Sequence, residues 1–242
     1  MRDYNQEYQD APDHKYAYDF DYVHRGYMLR AFSPFLGHGR ALELGCYKGE
    51  FTKLLIPHYQ DLTVVEAASE LIDVARAAVG GKARFIHSTF EEADLQEEFD
   101  AIFFIHTLEH VGDPVAVLAK IRSWLSDHGR LFLVVPNANA PSRQIAVSMG
   151  LLPDCSSVSE GERAHGHQRT YALDTLERDA RDGGMEIHQR GGIFFKPLAN
   201  FQFDQAIEQN IVSDGYLDGC YELGMKYPDL CASIYLLCGK GS

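Results

Sequence analysis

The chain has 242 residues, of which 45% are hydrophobic and 24% are charged. This length and apolar content suffice for one large domain with a full core, and they argue against disorder. The formal net charge of −13 argues against a nucleic-acid partner, because such partners select basic surfaces. It leaves room for a small substrate held by a local basic patch.

The five cysteines show no C-x-x-C pair, and their number is odd. Reduced thiols and a cytoplasmic location are the simplest interpretation. The first residues are polar and unlike a signal peptide, and no apolar run reaches the roughly 18 residues of a spanning helix. We therefore expect no membrane partner, and a monomer or a homodimer.

After a polar, tyrosine-rich start, helical spacing of apolar residues predicts a first helix over residues 19–35. Strands and helices then alternate. Strands are predicted over residues 41–44, 62–65, 83–87, 101–105, 130–135, 185–189 and 232–238. Helices are predicted over residues 49–59, 69–79, 114–125, 142–149, 173–182, 204–212 and 215–225. This alternation predicts an α/β fold, with a parallel sheet and helices on both faces.

The segment RALELGCYKG (residues 40–49) carries the strongest signal. An apolar run ends with Glu43 and Gly45, Gly49 opens a helix, and the next apolar run ends with Glu66. Parallel sheets present a nucleoside at this edge. A carboxylate at Glu66 can accept hydrogen bonds from both ribose hydroxyls, and glycine permits a close backbone approach. The alternative is an ordinary turn with an exposed acid. A nicotinamide cofactor would require the motif G-x-G-x-x-G, which is absent from the sequence.

Five segments in order resemble the class I S-adenosylmethionine-dependent methyltransferases, in their small-molecule branch. They are ELGCYKG (43–49), Glu66, FDAI (99–102), HTLEHV (106–111) and GRLFLVVPN (129–137). The resemblance implies a Rossmann-like, seven-stranded, mostly parallel sheet whose last strand is antiparallel. It also implies S-adenosyl-L-methionine as cofactor. We divide the chain into an N-terminal lid segment (1–36), a methyltransferase core (37–190), a helical cap inserted before the last strand (191–230) and that final strand (231–242).

The resemblance also implies a set of cofactor-binding residues. Glu66 would hold the ribose, Gly45 would lie beside the methionine part, and Thr89 and Phe90 would face the adenine, although Phe90 has a core residue as its alternative. The full set is Glu43, Gly45, Cys46, Tyr47, Gly49, Glu66, Ala67, Thr89, Phe90 and His106. Tyr47 stands where this family often has a middle glycine. Tyr16, Tyr18 and Tyr22 would close over the cofactor as a lid or belong to a partly ordered tail.

Histidines supply the candidate catalytic groups. His106 follows the fourth strand, so it should point towards the transferred methyl group, and a neutral imidazole can take a proton from a hydroxyl. A capping or packing role is its alternative, and packing is favoured for His110 over a substrate contact. No N-P-P-Y sequence, which is associated with methylation of amide or adenine amino groups, follows this strand.

The stretch HGHQRTY (165–171) brings four polar side chains close together in sequence. His165, His167, Arg169 and Tyr171 could grip a substrate, could include metal ligands, or could form a solvated loop. His165 and His167 are also candidate bases. Because no further ligand is fixed by spacing, we expect no metal.

The segment GGIFFKPLANFQ (191–202) and the stretch HGHQRTY resemble, more weakly, methyltransferases of sugar, capsule and secondary-metabolite pathways. Lys196, Asn200 and Gln202 would then line the substrate pocket, with a solvated edge as the alternative. We expect methyl transfer to a hydroxyl of a small polar metabolite, a sugar or sugar-like compound. The alternatives are an N-methyltransferase of a small amine, a non-catalytic cofactor-binding protein, and a nucleotide-sugar or NAD-dependent enzyme on a similar sheet.

Overall fold

The structure is a computed structural model that describes residues 4–10 and 18–241. The strands are β1 (Arg40–Leu44), β2 (Asp61–Glu66), β3 (Arg84–His87), β4 (Phe99–Ile105), β5 (Leu125–Pro136), β6 (Met185–Phe195) and β7 (Cys231–Lys240). They form one seven-stranded sheet in the order β3-β2-β1-β4-β5-β7-β6. Strands β1 to β5 are parallel, whereas β7 is antiparallel to both of its neighbours. The predicted Rossmann-like sheet with an antiparallel last strand is confirmed.

The helices are α1 (Tyr4–Asp10), α2 (Asp19–Phe32), α3 (Glu50–Leu55), α4 (Ser69–Val79), α5 (Pro114–Trp124), α6 (Pro141–Ser148), α7 (Glu160–Ala164), α8 (Leu173–Asp182), α9 (Asn200–Glu208) and α10 (Asp214–Lys226). Sequence signals explain several boundaries. At the start of α5, Oδ1 of Asp113 accepts from the backbone N–H of Ala116 at 3.0 Å, and Pro114 takes the first helical position. Among the described residues, no helix is both long and apolar enough to cross a bilayer.

The core lies on both faces of the sheet, as predicted. On one face α2, α9 and α10 pack through aromatic side chains, and the rings of Phe20 and Phe203 stack 4.5 Å apart. On the other face α5 and α8 bury Trp124 and Leu176 against the strands. Such burial from both sides explains why β4 is apolar almost throughout.

The strand order reverses between β1 and β4. Helices that follow these two strands leave on opposite sides, so a crevice opens at the carboxyl ends of the strands. Gly45 follows β1 and His106 follows β4. The topology therefore brings the first glycine loop and the leading histidine candidate to the same crevice.

Strand β6 runs to Phe195, past the predicted end at residue 189 and past the predicted start of the cap at residue 191. The strand was predicted to end before this glycine pair, but in a strand glycine also marks a close approach. A Cβ on Gly191 would lie 2.5 Å from the ring of Tyr235, and one on Gly192 would lie 2.3 Å from the carbonyl oxygen of Pro228. Glycine is therefore required at both positions, because any side chain there would clash with Tyr235 or Pro228.

Other segments also differ from the prediction, among them α7 and α9. Helix α7 lies in a stretch that was predicted as loop, and it is only five residues long, with Ser159 and Glu162 forming a capping box. Helix α9 begins at Asn200 rather than at residue 204. The helical part of the predicted cap thus comprises α9 and α10, and the division into lid, core and cap stays a prediction.

Candidate functional site

A cavity of about 500 Å³ lies at the carboxyl edge of β1, β2 and β4. Its volume is within the range of small-molecule sites. Nine of the ten predicted cofactor residues line it: Glu43, Gly45, Cys46, Tyr47, Glu66, Ala67, Thr89, Phe90 and His106. Gly49 lies behind the lining, where it opens α3 with φ +82° and packs its Cα against Ala75.

The loop after β1 has a backbone that suits glycine. Gly45 has φ +77°, and a Cβ there would lie 2.9 Å from Oγ1 of Thr107. Its N–H donates to the carbonyl of Val65 at 2.9 Å, which ties the loop to β2. Tyr47 also has a positive φ, +50°. The tyrosine therefore keeps the left-handed conformation that glycine adopts most readily.

Glu66 ends β2 and is almost fully buried. Its Oε2 accepts from the N–H groups of Cys46 and Tyr47, and its Oε1 accepts from those of Ala67 and Ala68, at 2.8 to 3.2 Å. Burial raises the pKa of this carboxyl group, and the four backbone donors oppose that shift. The carboxylate thus joins the two loops on either side of the cavity.

Glu43 and Arg25 each bring to the cavity one buried side-chain atom without a hydrogen-bond partner among the described residues. Oε2 of Glu43 and Nη1 of Arg25 are buried, and within the described part of the chain neither has a hydrogen-bond partner. Both residues line the cavity. Burial raises the pKa of Glu43 to about 8, although the side chain of Thr52 and the charge of Arg25 oppose the shift. The unpartnered guanidinium nitrogen and the unpartnered carboxyl oxygen fit a ligand that carries both a carboxylate and an ammonium group.

Phe90 and Thr89 lie beside this loop. The ring of Phe90 packs edge-on against Phe104 with centroids 5.4 Å apart, and its Cζ would be 3.5 Å from a Cβ on Gly45. Thr89 accepts through Oγ1 from the N–H of Glu92 at 3.2 Å. An apolar ring and a polar turn therefore border the cavity where the adenine contact was predicted.

His106 projects from the end of β4 with φ +49°. Its Nε2 lies 2.7 Å from Oγ of Ser233, a hydrogen-bonding distance, and its ring centroid lies 6.0 Å from that of His24. Burial and neighbouring positive groups hold the pKa of His106 well below its ordinary value, and burial lowers the pKa of His24 to about 3. Both imidazoles are therefore neutral at physiological pH, and a neutral imidazole can accept a proton.

Helices α2 and α9 cover one side of the cavity. Nζ of Lys196 donates to Oδ1 of Asn200 at 2.6 Å, and Nδ2 of Asn200 donates to Oδ1 of Asp21 at 3.0 Å. All three residues line the cavity, as does Tyr18 at the start of α2. Of the other tyrosines predicted to form a lid, Tyr22 is an exposed residue away from the lining, and Tyr16 lies outside the described residues.

A second cavity of about 230 Å³ adjoins the first. The two share the lining residues Glu109, Pro136, Glu162, His167, Lys196, Asn200 and Ala232. Of the predicted histidines, His110, His165 and His167 all line the first cavity. The rings of His110 and His167 pack edge-on, with their centroids 4.6 Å apart. The structure thus brings together two stretches that are far apart in sequence.

Three predicted substrate residues form hydrogen bonds within the fold. Arg169 borders the second cavity, but its guanidinium donates to the carbonyls of Val111 and Gly112. Tyr171 is buried, and its hydroxyl donates to Oδ2 of Asp179. Gln202 accepts from the N–H of Ala199 through Oε1 and caps α9. Because Tyr171 and Gln202 also lie outside the lining of both cavities, they are not carried into the proposed site.

Among the cavity residues to which sequence reasoning gave no role are His24, Arg25, Glu109 and Ser233. Glu109 was noted beside His106 and His110 after the fourth strand but was given no role, and the structure shows that it is buried. His24 and Arg25 lie on a helix whose register against the sheet depends on packing. No local signal in the sequence marks them as cavity residues.

The profile of a family described as a methyltransferase domain matches residues 16–190 of the chain. The chain is also similar to curated relatives. It is 25% identical over 177 residues to a ubiquinone biosynthesis O-methyltransferase from Aeromonas salmonicida (strain A449), with 71% of this chain and 73% of the relative covered. A relative with the same description from Xanthomonas axonopodis pv. citri (strain 306) is 26% identical over 66% of this chain and 68% of its own length.

Solved structures share the fold. An S-adenosylmethionine-dependent methyltransferase from Thermotoga maritima superposes with a TM-score of 0.67 at 17% identity and covers 98% of this chain and 99% of its own. The N-methyltransferase NodS from Bradyrhizobium japonicum WM9, in complex with S-adenosyl-L-homocysteine, gives a TM-score of 0.57 at 15% identity, over 95% of this chain and 91% of its own.

Proposed function

The chain belongs to the methyltransferase-domain family and is an S-adenosylmethionine-dependent methyltransferase, and we propose that it methylates a hydroxyl oxygen of a small polar metabolite. The observation that carries this proposal is the position of His106. A neutral imidazole, partnered by Ser233, lines the same cavity as Glu66 and the loop after β1, whose N–H groups at Cys46 and Tyr47 donate to Glu66.

The residues of the first cavity fit S-adenosylmethionine. We propose that Glu66 holds the ribose hydroxyls and that Phe90 and Thr89 border the adenine. The unpartnered Nη1 of Arg25 suits the methionine carboxylate, and the unpartnered Oε2 of Glu43 suits its ammonium group. Gly45, where a side chain would meet Thr107, lets the backbone lie close to the ligand.

When bound, S-adenosylmethionine supplies a methyl group on a sulfonium, which is already a good leaving group. The protein's main task is therefore to align the acceptor and to exclude water. Helices α2 and α9 cover the cavity, and their contact is fixed by the Asp21–Asn200–Lys196 hydrogen-bond series. Residues 1–36 and 191–230 would in this way serve as lid and cap.

A hydroxyl is a weak nucleophile until it loses its proton, so an adjacent base is needed. His106 is the proposed base, because its neutral ring can accept the hydroxyl proton while Ser233 holds the ring in place. His165 and His167 line the same cavity and remain secondary candidates.

The polar lining supports a hydroxyl-rich acceptor. Beyond His106 the walls include Glu162, Lys196 and Asn200, which can donate to and accept from several hydroxyls of a sugar-like molecule. The relatives' role in ubiquinone biosynthesis makes a hydroxylated ubiquinone precursor the second acceptor to try. Monomer or homodimer, and no nucleic-acid partner, stay predictions.

The test uses purified protein, S-adenosylmethionine with a ¹³C-labelled methyl group, and a panel of sugars, hydroxylated ubiquinone precursors and small amines. We expect label on oxygen, located by NMR. We expect His106→Asn to lower kcat by about 10²-fold or more with little change in cofactor affinity, because asparagine also tolerates a positive φ. Label on nitrogen, or a His106→Asn enzyme with unchanged kcat, would overturn the proposal.

A further inference from the structure

We propose that Glu109, His110 and His167 bind a divalent first-row transition-metal ion where the two cavities meet. This inference departs from the sequence-based expectation of no metal. The role of the ion in holding the acceptor rests on the proposed function, whereas the binding of the ion itself does not.

The three side chains are assembled with ligand-like spacing. One ligand atom from each residue lies within 4.8 Å of the others. Nε2 of His110 is 3.9 Å from Oε1 of Glu109, and the rings of His110 and His167 meet edge-on at 79°. Ligands around a small ion are about 3 to 3.5 Å apart when each bond is 2.0 to 2.2 Å, so small side-chain rotations complete the site.

Glu109 is a second, independent observation. Its side chain is only 2% exposed, and neither carboxylate oxygen has a hydrogen-bond partner within the described residues. A buried carboxyl group with both oxygens unpaired is costly unless something binds it. Glu109 lines both cavities, so a cation at their junction would satisfy it.

The third ligand, His167, is held in place by hydrogen bonds of the two residues that follow it in the chain. The backbone N–H of Gln168 donates to the carbonyl of Glu109 at 2.9 Å, and its side chain donates to the carbonyl of His110 at 2.9 Å. Arg169 donates to the next carbonyls along the same segment. These bonds attach residues 167–169 to residues 109–112, which is the attachment that a shared metal site requires.

Two imidazole nitrogens and one carboxylate oxygen select the class of ion. Ca²⁺ and Mg²⁺ prefer oxygen ligands, whereas Zn²⁺, Co²⁺ and Fe²⁺ accept imidazole readily. Three protein ligands leave a coordination position free, as in metal sites that bind a further molecule. Because His167 and Glu109 line both cavities, that position would face an acceptor oxygen, which the ion would hold near His106.

The test measures the ion directly and needs neither cofactor nor acceptor. Protein treated with a chelator and then desalted is titrated with Co²⁺, and visible absorption and calorimetry report binding. The same titration is run on Glu109→Gln, His167→Ala and the control His165→Ala, which removes a cavity histidine two residues from His167. Thermal unfolding checks that each variant is folded, and His167→Ala carries the test if Glu109→Gln does not fold.

We expect one Co²⁺ per chain with the absorption of a nitrogen-ligated ion, displaced by Zn²⁺. Glu109→Gln and His167→Ala should each weaken binding at least about tenfold, and His165→Ala should not. Failure to bind one equivalent, or binding that survives both ligand substitutions, would overturn the proposal. Methylation of a hydroxyl by a protein that binds no ion would reject the metal site alone and leave the proposed function in place.

Discussion

Nε2 of His106, at the end of β4, lies 2.7 Å from Oγ of Ser233 in β7, although β5 separates the two strands in the sheet. The bond therefore reaches across the end of a neighbouring strand. It holds a histidine whose φ of +49° is seldom adopted by residues other than glycine. Such strain persists when surrounding contacts maintain it, and it often occurs at functional sites.

Ser233→Ala should therefore reduce catalysis without affecting cofactor binding. Loss of the hydroxyl leaves the His106 ring less well oriented, and we expect kcat to fall by about tenfold to a hundredfold. The affinity for S-adenosylhomocysteine, measured by calorimetry, should stay the same. Ser148→Ala, on the outer surface of α6, is the control. A Ser233→Ala enzyme with the kcat of the parent would show that Ser233 does not position the base.

Arg25→Gln should weaken binding of the amino-acid part of the cofactor. The loss of one charged hydrogen bond costs about 1.5 to 3 kcal/mol, so S-adenosylhomocysteine should bind roughly 10- to 150-fold more weakly. Methylthioadenosine, which has no amino-acid part, should bind equally to both proteins. Arg30→Gln, on the same helix but paired on the surface with Asp218 and Glu222, is the matched control. Equal losses for both ligands would place Arg25 elsewhere in the site.

Glu43→Gln should change how the stability of the cofactor-free protein depends on pH. Burial raises the pKa of Glu43 from 4.5 to about 8 in the folded protein. The folded state then binds more protons than the unfolded state, so the contribution of Glu43 is complete below pH 4.5 and is lost as the pH rises through 8.

The glutamine variant lacks this dependence. Its free energy of unfolding, relative to the parent, should increase between pH 5 and pH 8 by at most about 1.4 kcal/mol per pH unit. Urea unfolding across this range gives the difference, and Glu186→Gln on the exposed part of β6 controls for the loss of one negative charge. Parallel profiles for the parent and Glu43→Gln would contradict the raised pKa.

Gly192→Ala should destabilise the protein, because the new Cβ would lie 2.3 Å from the carbonyl oxygen of Pro228 and 2.6 Å from Sγ of Cys231. We expect a loss of about 1 to 3 kcal/mol, as for other overpacked core sites. Gly219→Ala is the matched control, since a Cβ there meets no atom of the described residues within 4 Å and alanine favours the helix by about 0.5 to 1 kcal/mol. Opposite shifts in melting temperature are therefore predicted, and an unaffected Gly192→Ala would refute the extended β6.

The sequence predicted best those site residues whose positions follow from neighbouring strands along the chain. Gly45 and Glu66 follow successive strands, so strand periodicity alone predicts that they share one edge. Ser233 and Arg25 could not be predicted in the same way, because their positions depend on how β7 and α2 pack against distant strands. Strand β6 was predicted too short for a related reason, because its continuation through Gly191 and Gly192 depends on close contacts with Tyr235 and Pro228.

We propose that S-adenosylmethionine binds in the cavity between Arg25, Glu43, Glu66 and His106. A crystal structure with S-adenosylhomocysteine tests it most directly. We predict the ribose hydroxyls at the carboxylate of Glu66, the amino-acid part between Arg25 and Glu43, and the sulfur facing His106. A ligand found outside this cavity, or with its sulfur turned away from His106, would contradict the account.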